Sequence, residues 1–233
     1  MGAPPGKQVQ SMFGDIAERY DFLNSFLSFG VDRLWRRKAV AASDCIENVR
    51  VLDLCCGTGD LAIEYAKIGC LTTGADFTPE MLAKAPAKAA KSNVDVEWVE
   101  ADAQALPFSD GSFDVVSIAF GIRNVENVSL AIQECRRVLT NNGRLVILEF
   151  FPIKNPVWRF FFRLYFLRVL PIIASIVRAG RTGAYTYLPQ SVDEFYSAPA
   201  FAKLLVSNEL QLRSDTPLTG GVARLFVAVK KSW

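Results

Sequence analysis

The chain has 233 residues, with 26 basic and 24 acidic side chains and no histidine. This near balance of charge excludes a general nucleic-acid binder, which would carry a basic surplus. Five cysteines without C-x-x-C spacing and the lack of histidine argue against a zinc site, so no metal is expected. The first residues have no apolar run typical of a signal peptide, and we expect a cytoplasmic protein.

The elements predicted in chain order begin with helix. Residues 1–42 are interpreted as an N-terminal helical cap over a substrate region, interrupted at Gly30. From residue 43 to 151, apolar runs typical of strands alternate with helical patterns. Strands are predicted at 50–55, 71–76, 96–101, 113–119 and 144–150, and helices at 59–67, 79–91 and 128–139. This rhythm predicts an α/β fold with a doubly wound, mostly parallel sheet.

Two local sequence signals refine the boundaries of the predicted helices. Pro86 lies inside the second helical pattern and should kink or shorten that helix. Asn141, Asn142 and Gly143 are typical of a helix end before the next strand.

The third region, residues 152–190, is predicted to be an apolar helical cap insertion. Its apolar stretch at 157–177 is long enough to span a bilayer, but three arginines within it argue against a spanning helix. A core helix and a cap over an apolar substrate both fit, and peripheral membrane contact is left open. Residues 191–233 are predicted to form a helix and an antiparallel hairpin, with strands at 211–218 and 222–230, completing a seven-stranded sheet.

A glycine-rich turn follows the first predicted strand. Residues 51–60 read Val-Leu-Asp-Leu-Cys-Cys-Gly-Thr-Gly-Asp, and Gly57, Thr58 and Gly59 open the next helix. Glycine permits positive φ and close approach of a ligand to the backbone, and α/β proteins bind nucleotide-like cofactors at such a turn. A tight strand-to-helix connection without a ligand would use the same residues. The turn therefore predicts a cofactor site without naming the cofactor.

Two cofactors compete for this turn. The spacing to Asp76 fits a dinucleotide such as NAD. Asp60 opposes NAD, because a carboxylate at the helix start would repel a pyrophosphate. S-adenosylmethionine (SAM) has no phosphate and carries a sulfonium cation. Four carboxylates at strand ends or turns, Asp53, Asp60, Asp76 and Asp102, are expected to converge on one crevice and to favour this cationic ligand.

Two further strand ends supply candidate ligand contacts. Asp76, followed by Phe77, is placed to accept hydrogen bonds from ribose hydroxyls. Asp102, followed by Ala103, ends the third strand, where the carboxylate could accept from an adenine amino group and the Ala103 N–H could donate to the ring. Each acid alone also fits an ordinary polar strand end.

Together these motifs resemble class I SAM-dependent methyltransferases, and more closely the ubiquinone/menaquinone biosynthesis C-methyltransferase family. The resemblance covers about residues 12–190. It rests on Ala17-Glu-Arg-Tyr20-Asp21, Leu52 to Asp60, Gly74-Ala-Asp76-Phe-Thr-Pro-Glu-Met81, Ala101-Asp102-Ala103, Ala119-Phe-Gly-Ile-Arg-Asn-Val125, Leu148-Glu-Phe150 and Tyr187-Leu-Pro189. The resemblance implies a Rossmann-like fold, SAM as methyl donor and a prenylated quinol as acceptor.

The same resemblance implies roles for individual residues. Arg123 would orient the quinol hydroxyl or help its deprotonation. Because arginine stays protonated, stabilisation of a phenolate is preferred to base catalysis. Asn124 would hydrogen-bond the same oxygen, and Tyr20 could close the site. Ala119 stands where the family has a serine, although the position is still expected to border the cofactor.

Several alternatives remain open at this point. The acceptor could be another lipid-like or small apolar molecule, and an NAD-dependent oxidoreductase or a non-catalytic partner in a biosynthetic complex would keep the same fold. No Tyr-x-x-x-Lys pair supports the oxidoreductase. The choice between a benzoquinol and a naphthoquinol, and between a homodimer and a larger complex, is also open.

Overall fold

A computed structural model describes residues 10, 11, 14, 28, 30–153 and 184–231, with side chains at 184–186 and 188 left out of the description. The strands are β1 (Arg50–Leu54), β2 (Leu71–Asp76), β3 (Glu97–Glu100), β4 (Phe113–Ala119), β5 (Leu139–Phe150), β6 (Leu210–Leu218) and β7 (Ala223–Lys230). The helices are α1 (Val31–Ala42), α2 (Asp60–Ala66), α3 (Pro79–Leu82), α4 (Ala85–Lys91), α5 (Val128–Val138), α6 (Ala184–Glu194) and α7 (Ala198–Ser207).

The strands form one seven-stranded sheet in the order β3-β2-β1-β4-β5-β7-β6. The first five strands are parallel, and β7 pairs antiparallel with β5 and β6. The predicted doubly wound sheet with a terminal antiparallel hairpin is therefore confirmed. The order reverses beside β1: the chain leaving β1 runs to α2 on one face of the sheet, and the chain leaving β4 runs to α5 on the other face, which leaves a crevice for a ligand between the two connections.

Helices cover both faces of this sheet, and each face has its own apolar core. On one face, α5 and α7 contribute Ile132, Cys135, Phe201 and Leu205, all with zero exposure. On the other face, α1 and α2 contribute a cluster that includes Trp35 and Tyr65. Because the central strands are buried on both sides, they need the continuous apolar runs that the sequence shows.

Pro86 interrupts the second predicted helix as expected. The helix at 79–91 divides into α3 and α4, with Pro86 in the first turn of α4. Proline has no N–H to donate, and the first turn of a helix does not need one. The break therefore falls just before the proline.

The prediction of a helix end at residues 141–143 is wrong in position. Helix α5 already ends at Val138, and β5 begins at Leu139, which pairs with Phe113. The pairing register then shifts, and Asn142 takes a positive φ of 64° within the strand. Asparagine tolerates this conformation, so the residues that usually end a helix here form an irregularity inside a strand.

Trp98 on β3 packs against two glycines that position the turn after β1. A Cβ atom on Gly74 would lie 2.4 Å from Trp98 Cζ3, and one on Gly59 would lie 2.4 Å from Trp98 Cη2. Gly59 also has a φ of 85°, which L side chains rarely adopt. The indole thus sets how closely the turn and β2 approach.

We expect Gly74→Ala to lower the free energy of unfolding by about 1–3 kcal/mol, the usual cost of overpacking a filled core. Chemical denaturation measures this change. The same substitution in a Trp98→Phe background should cost less, because the smaller ring leaves room for the methyl group. An equal cost in both backgrounds would show that the indole is not the obstacle.

Candidate active site

A cavity of about 280 Å³ opens at the carboxyl ends of β1, β2 and β4. Its described lining residues are Gln10, Cys55, Gly57, Asp76, Phe77, Thr78, Met81, Ala101, Asp102, Ala103, Gln104, Ala119, Phe120, Gly121, Asn124, Val125 and Glu126. Among these described residues three are acidic and none is lysine or arginine. Such a lining favours a cationic ligand over a pyrophosphate.

Asp76 ties the glycine turn to the end of β2. Its Oδ2 accepts a 2.8 Å hydrogen bond from the Gly57 N–H, and its Oδ1 accepts one of 2.8 Å from the Thr78 N–H. The carboxyl is 8% exposed, and burial raises its pKa even though these backbone donors lower it. Gly57 itself has a φ of 57°, so the loop closes onto the carboxylate in a conformation suited to glycine.

Asp102 and Ala103 also border the cavity, at the loop that follows β3. Asp102 Oδ1 accepts from the backbone N–H of Gln104 at 2.8 Å, which fixes the carboxylate. The Gln104 side chain accepts a 2.9 Å bond from the Asn127 N–H and thereby joins this loop to the one after β4. Gln104 was not predicted from the sequence, where it stands in an unpatterned loop.

Two of the four expected carboxylates do not line the cavity. Asp53 is buried beneath the turn, where its Oδ2 accepts a 2.8 Å bond from the Ala62 N–H. Asp60 points to Lys88, whose Nζ lies 2.6 Å from Asp60 Oδ1, and to Arg36. The expectation that Asp53 and Asp60 converge on the crevice with Asp76 and Asp102 was therefore wrong, and two cations offset the charge of Asp60.

The other predicted residues of the turn lie close to the cavity without lining it. Thr58 is buried, and its hydroxyl accepts from Lys88 Nζ at 3.0 Å. Gly59 packs against Trp98 and does not line the cavity. Phe77 and Ala119 do border the cavity, as placed from the sequence. Tyr20 lies outside the described residues.

Asp53 makes the stability of the turn depend on pH. Burial raises the pKa of its carboxyl to about 8, and Oδ1 has no hydrogen-bond partner among the described residues. A raised pKa means that the folded state favours the proton. Asp53 therefore contributes its full stability below pH 4 and loses it as the pH rises through about 8.

We expect Asp53→Asn to become more stable relative to the parent protein as the pH rises from 4 to 8. The amide keeps an acceptor for Ala62 and has no charge to bury. Thermal denaturation of both proteins across this range measures the difference. A difference that stays constant with pH would contradict the assignment, because residues common to both proteins cancel.

The turn after β4 carries a buried ion pair. Arg123 and Glu149 are 8% and 0% exposed, and Arg123 Nη1 donates to Glu149 Oε1 at 2.7 Å. The same Nη1 donates to the Phe120 carbonyl at 2.6 Å, and the Arg123 N–H donates to Glu149 Oε2 at 3.3 Å. Burial raises the pKa of Glu149, whereas Arg123 lowers it. The pair thus fastens the 3₁₀ turn Ile122–Asn124 to β5.

Asn124 projects from this turn into the cavity, while Arg123 does not line it. The Asn124 Oδ1 accepts a 2.9 Å bond from the Tyr187 hydroxyl on α6. Gly121 allows the turn to approach the glycine loop, because a Cβ there would lie 2.3 Å from Cys55 Cβ. The structure therefore brings Asn124 to the same cavity as Asp76 and Asp102.

Glu149 and Tyr187 were not predicted as site residues. Glu149 comes directly after the apolar residues Leu145–Leu148 of β5. A charged residue in such a run needs a buried partner, and this was the one signal in the sequence that could have marked it. Tyr187 was part of the resemblance, but no pattern connected it with Asn124 across 63 residues of sequence.

The described residues hold neither a metal-binding cluster nor a membrane-spanning helix. They contain no group of three or more histidine, cysteine, aspartate or glutamate side chains that could hold a metal ion. No helix among the described residues is long and apolar enough to cross a membrane. The segment 157–177, for which membrane contact was considered, lies outside them.

The fold is the Rossmann-like fold of class I, SAM-dependent methyltransferases. A solved SAM-dependent methyltransferase from Aquifex aeolicus superposes with a TM-score of 0.62 at 17% identity, over 84% of this chain and 89% of that one. At that identity the likeness shows the fold. The acid-lined cavity fits the sulfonium of SAM, since its described lining offers carboxylates and no cation.

The chain belongs to the ubiE/COQ5 methyltransferase family, whose profile matches residues 3–230. A demethylmenaquinone methyltransferase of Thermus thermophilus is 45% identical over 93% of this chain and 98% of its own length. The ubiquinone/menaquinone biosynthesis C-methyltransferase UbiE of Geotalea uraniireducens is 41% identical over 97% of each. The resemblance drawn from the motifs is thus confirmed.

Proposed function

We propose that this chain transfers the methyl group of SAM to a ring carbon of a prenylated quinol. The observation that carries the proposal is the position of Asn124. It lies on the Gly121-Ile-Arg-Asn124 segment and borders the same acid-lined cavity as Asp76 and Asp102. The names of the relatives, which act in menaquinone and ubiquinone biosynthesis, support the quinol as acceptor.

Four residues are proposed to hold the donor. Asp76 would accept from the ribose hydroxyls, since each carboxylate oxygen has a further lone pair beyond its backbone bond. Asp102 and Ala103 would meet the adenine edge, and the Gly57 backbone would border the amino-acid part. The bound donor supplies an electrophilic methyl group, and the protein supplies alignment.

Asn124 and Arg123 are proposed to act on the acceptor oxygen in different ways. A quinol ring carbon becomes a good nucleophile when the neighbouring hydroxyl loses its proton. Asn124 would donate a hydrogen bond to that oxygen. Arg123 is already paired with Glu149, so we assign it the support of the turn and a share of the positive potential that favours a phenolate.

A panel of acceptors tests this function. The purified protein is incubated in detergent with SAM and reduced, demethylated naphthoquinols and benzoquinols carrying prenyl tails. A sterol and an amino phospholipid represent other apolar acceptors. We expect products one methyl group heavier from at least one quinol class, by mass spectrometry. Transfer to the sterol or phospholipid alone would favour the second function and exclude the quinol.

We also propose peripheral contact with a membrane at its cytoplasmic face, because a prenylated acceptor resides in lipid. Flotation with vesicles that contain a prenylated quinone measures this association. Protein that stays at the bottom of the gradient with and without the quinone would contradict it.

A further inference from the structure

We propose that Tyr187 is a positioning residue for methyl transfer: its hydroxyl fixes the Asn124 amide so that the Nδ2 group is presented to the oxygen of the acceptor. This inference rests on the proposed function, because it assigns a task to the residue that would contact the quinol. Tyr187 lies on α6, more than sixty residues after the turn that it contacts.

The orientation of the Asn124 amide is set from two sides. Tyr187 donates to Oδ1 at 2.9 Å, and the Phe120 carbonyl lies 3.5 Å from Nδ2. A rotated amide would place Oδ1 against the Phe120 carbonyl, and two acceptors would then repel each other. It would also turn Nδ2 toward the Tyr187 hydroxyl. The observed orientation satisfies both neighbours.

The Phe120 carbonyl is itself held in place. Arg123 Nη1 donates to it at 2.6 Å and also contacts Glu149, so this acceptor is fixed by the buried pair. Phe120 has a φ of 60°, which is uncommon for a residue other than glycine, and it borders the cavity. The 3.5 Å separation is a weak hydrogen bond at most. The strong constraint on the amide is therefore the Tyr187 hydroxyl.

Tyr187 is suited to this task because it stays a neutral donor. Burial raises the pKa of its phenol, and Arg123 opposes this shift. Helix α6 makes a second contact with the same turn, since Arg123 Nε lies 3.4 Å from Ser191 Oγ. The arrangement connects α6 to the orientation of one amide in the cavity.

Tyr187→Phe tests the inference, with Tyr196→Phe as the matched control. Tyr196 is 42% exposed and does not line the cavity, so the control makes the same chemical change elsewhere. We expect Tyr187→Phe to lower kcat about tenfold, in line with the loss of one hydrogen bond that orders the site. KM for the quinol and Kd for SAM should change less than about twofold, because the cavity lining is kept.

A double-mutant cycle separates positioning from a general structural effect. In an Asn124→Ala background, Tyr187→Phe should lower kcat no further, because the amide that it orients is absent. Equal losses in both backgrounds would overturn the inference. So would wild-type kcat in Tyr187→Phe, or a loss that Tyr196→Phe reproduces.

Asn124→Asp provides a second test that leaves Tyr187 intact. The carboxylate keeps an acceptor for the Tyr187 hydroxyl and removes the Nδ2 donor. We expect kcat to fall by at least about 100-fold, as when a donor to a developing oxyanion is lost, with SAM affinity retained. Wild-type turnover in this variant would overturn the inference even if Tyr187→Phe did not fold. A wild-type protein that methylates no quinol would instead contradict the proposed function.

Discussion

Asp76→Ala is expected to weaken SAM binding by at least about 100-fold, because charge-assisted hydrogen bonds contribute about 1.5–3 kcal/mol each and the two proposed bonds to the ribose hydroxyls are lost. The Asp76 carboxylate joins the Gly57 and Thr78 backbones across the floor of the cavity. Without it, the glycine turn loses the side-chain hydrogen bond that joins Gly57 to the end of β2, and the ribose loses its proposed acceptor. Isothermal titration with SAM measures the change.

The control for this experiment is Asp95→Ala, at an exposed acid in the loop before β3 that does not line the cavity. It should leave SAM affinity within about twofold of the parent value, as expected for a surface substitution. The SAM affinity of Asp76→Asn should lie between those of Asp76→Ala and Asp95→Ala, because the amide keeps one acceptor and offers a donor where an acceptor is needed. Asp76→Ala with unchanged affinity would remove Asp76 from the donor site.

Arg123→Met is expected to lower the free energy of unfolding by about 3–5 kcal/mol, the usual result of breaking a buried ion pair. The substitution leaves Glu149 without exposure to water and without its cation. The pKa of Glu149 should then rise further, since Arg123 is the cause that lowers it most. The loss should therefore be smaller at pH 5 than at pH 8, because protonation neutralises the orphaned acid.

The double variant Arg123→Met with Glu149→Gln should recover much of this loss, because neither charge remains buried. Urea denaturation of both single variants and the double variant gives the coupling between the two residues. Additive losses would show that the pair does not act as a unit. Because SAM binding does not depend on this pair in the proposed scheme, SAM affinity in any folded variant should stay near the parent value.

The regular part of the fold could be predicted because each strand carries its own signal. The parallel strands are buried on both faces, so they appear as short apolar runs bounded by turn residues. Pro86 acts through local sterics and could be placed as well. The conformation of residues 141–143 could not be predicted, because β5 already begins at Leu139, and the pairing of Leu139 with Phe113 depends on a strand that lies 26 positions away.

The candidate site likewise has residues that could be predicted from the sequence and residues that could not. Gly57, Asp76 and Asp102 lie at or just after the carboxyl ends of parallel strands, which meet at one edge of the sheet, so their convergence could be predicted. Asp60 could not be judged from its position at the helix start, since its partners Lys88 and Arg36 come from other helices. The link between Tyr187 and Asn124 likewise exists only after the chain has folded.

The most direct test of the proposed chemistry is to locate the transferred methyl group. The purified protein is given SAM with a carbon-13 methyl group and a reduced, demethylated prenylated quinol, and the product is examined by NMR. We expect the label on a ring carbon, at a chemical shift typical of an aryl methyl group, and we expect none without the protein. Label on a quinol oxygen, or no labelled quinol while SAM binds, would contradict C-methylation by this site.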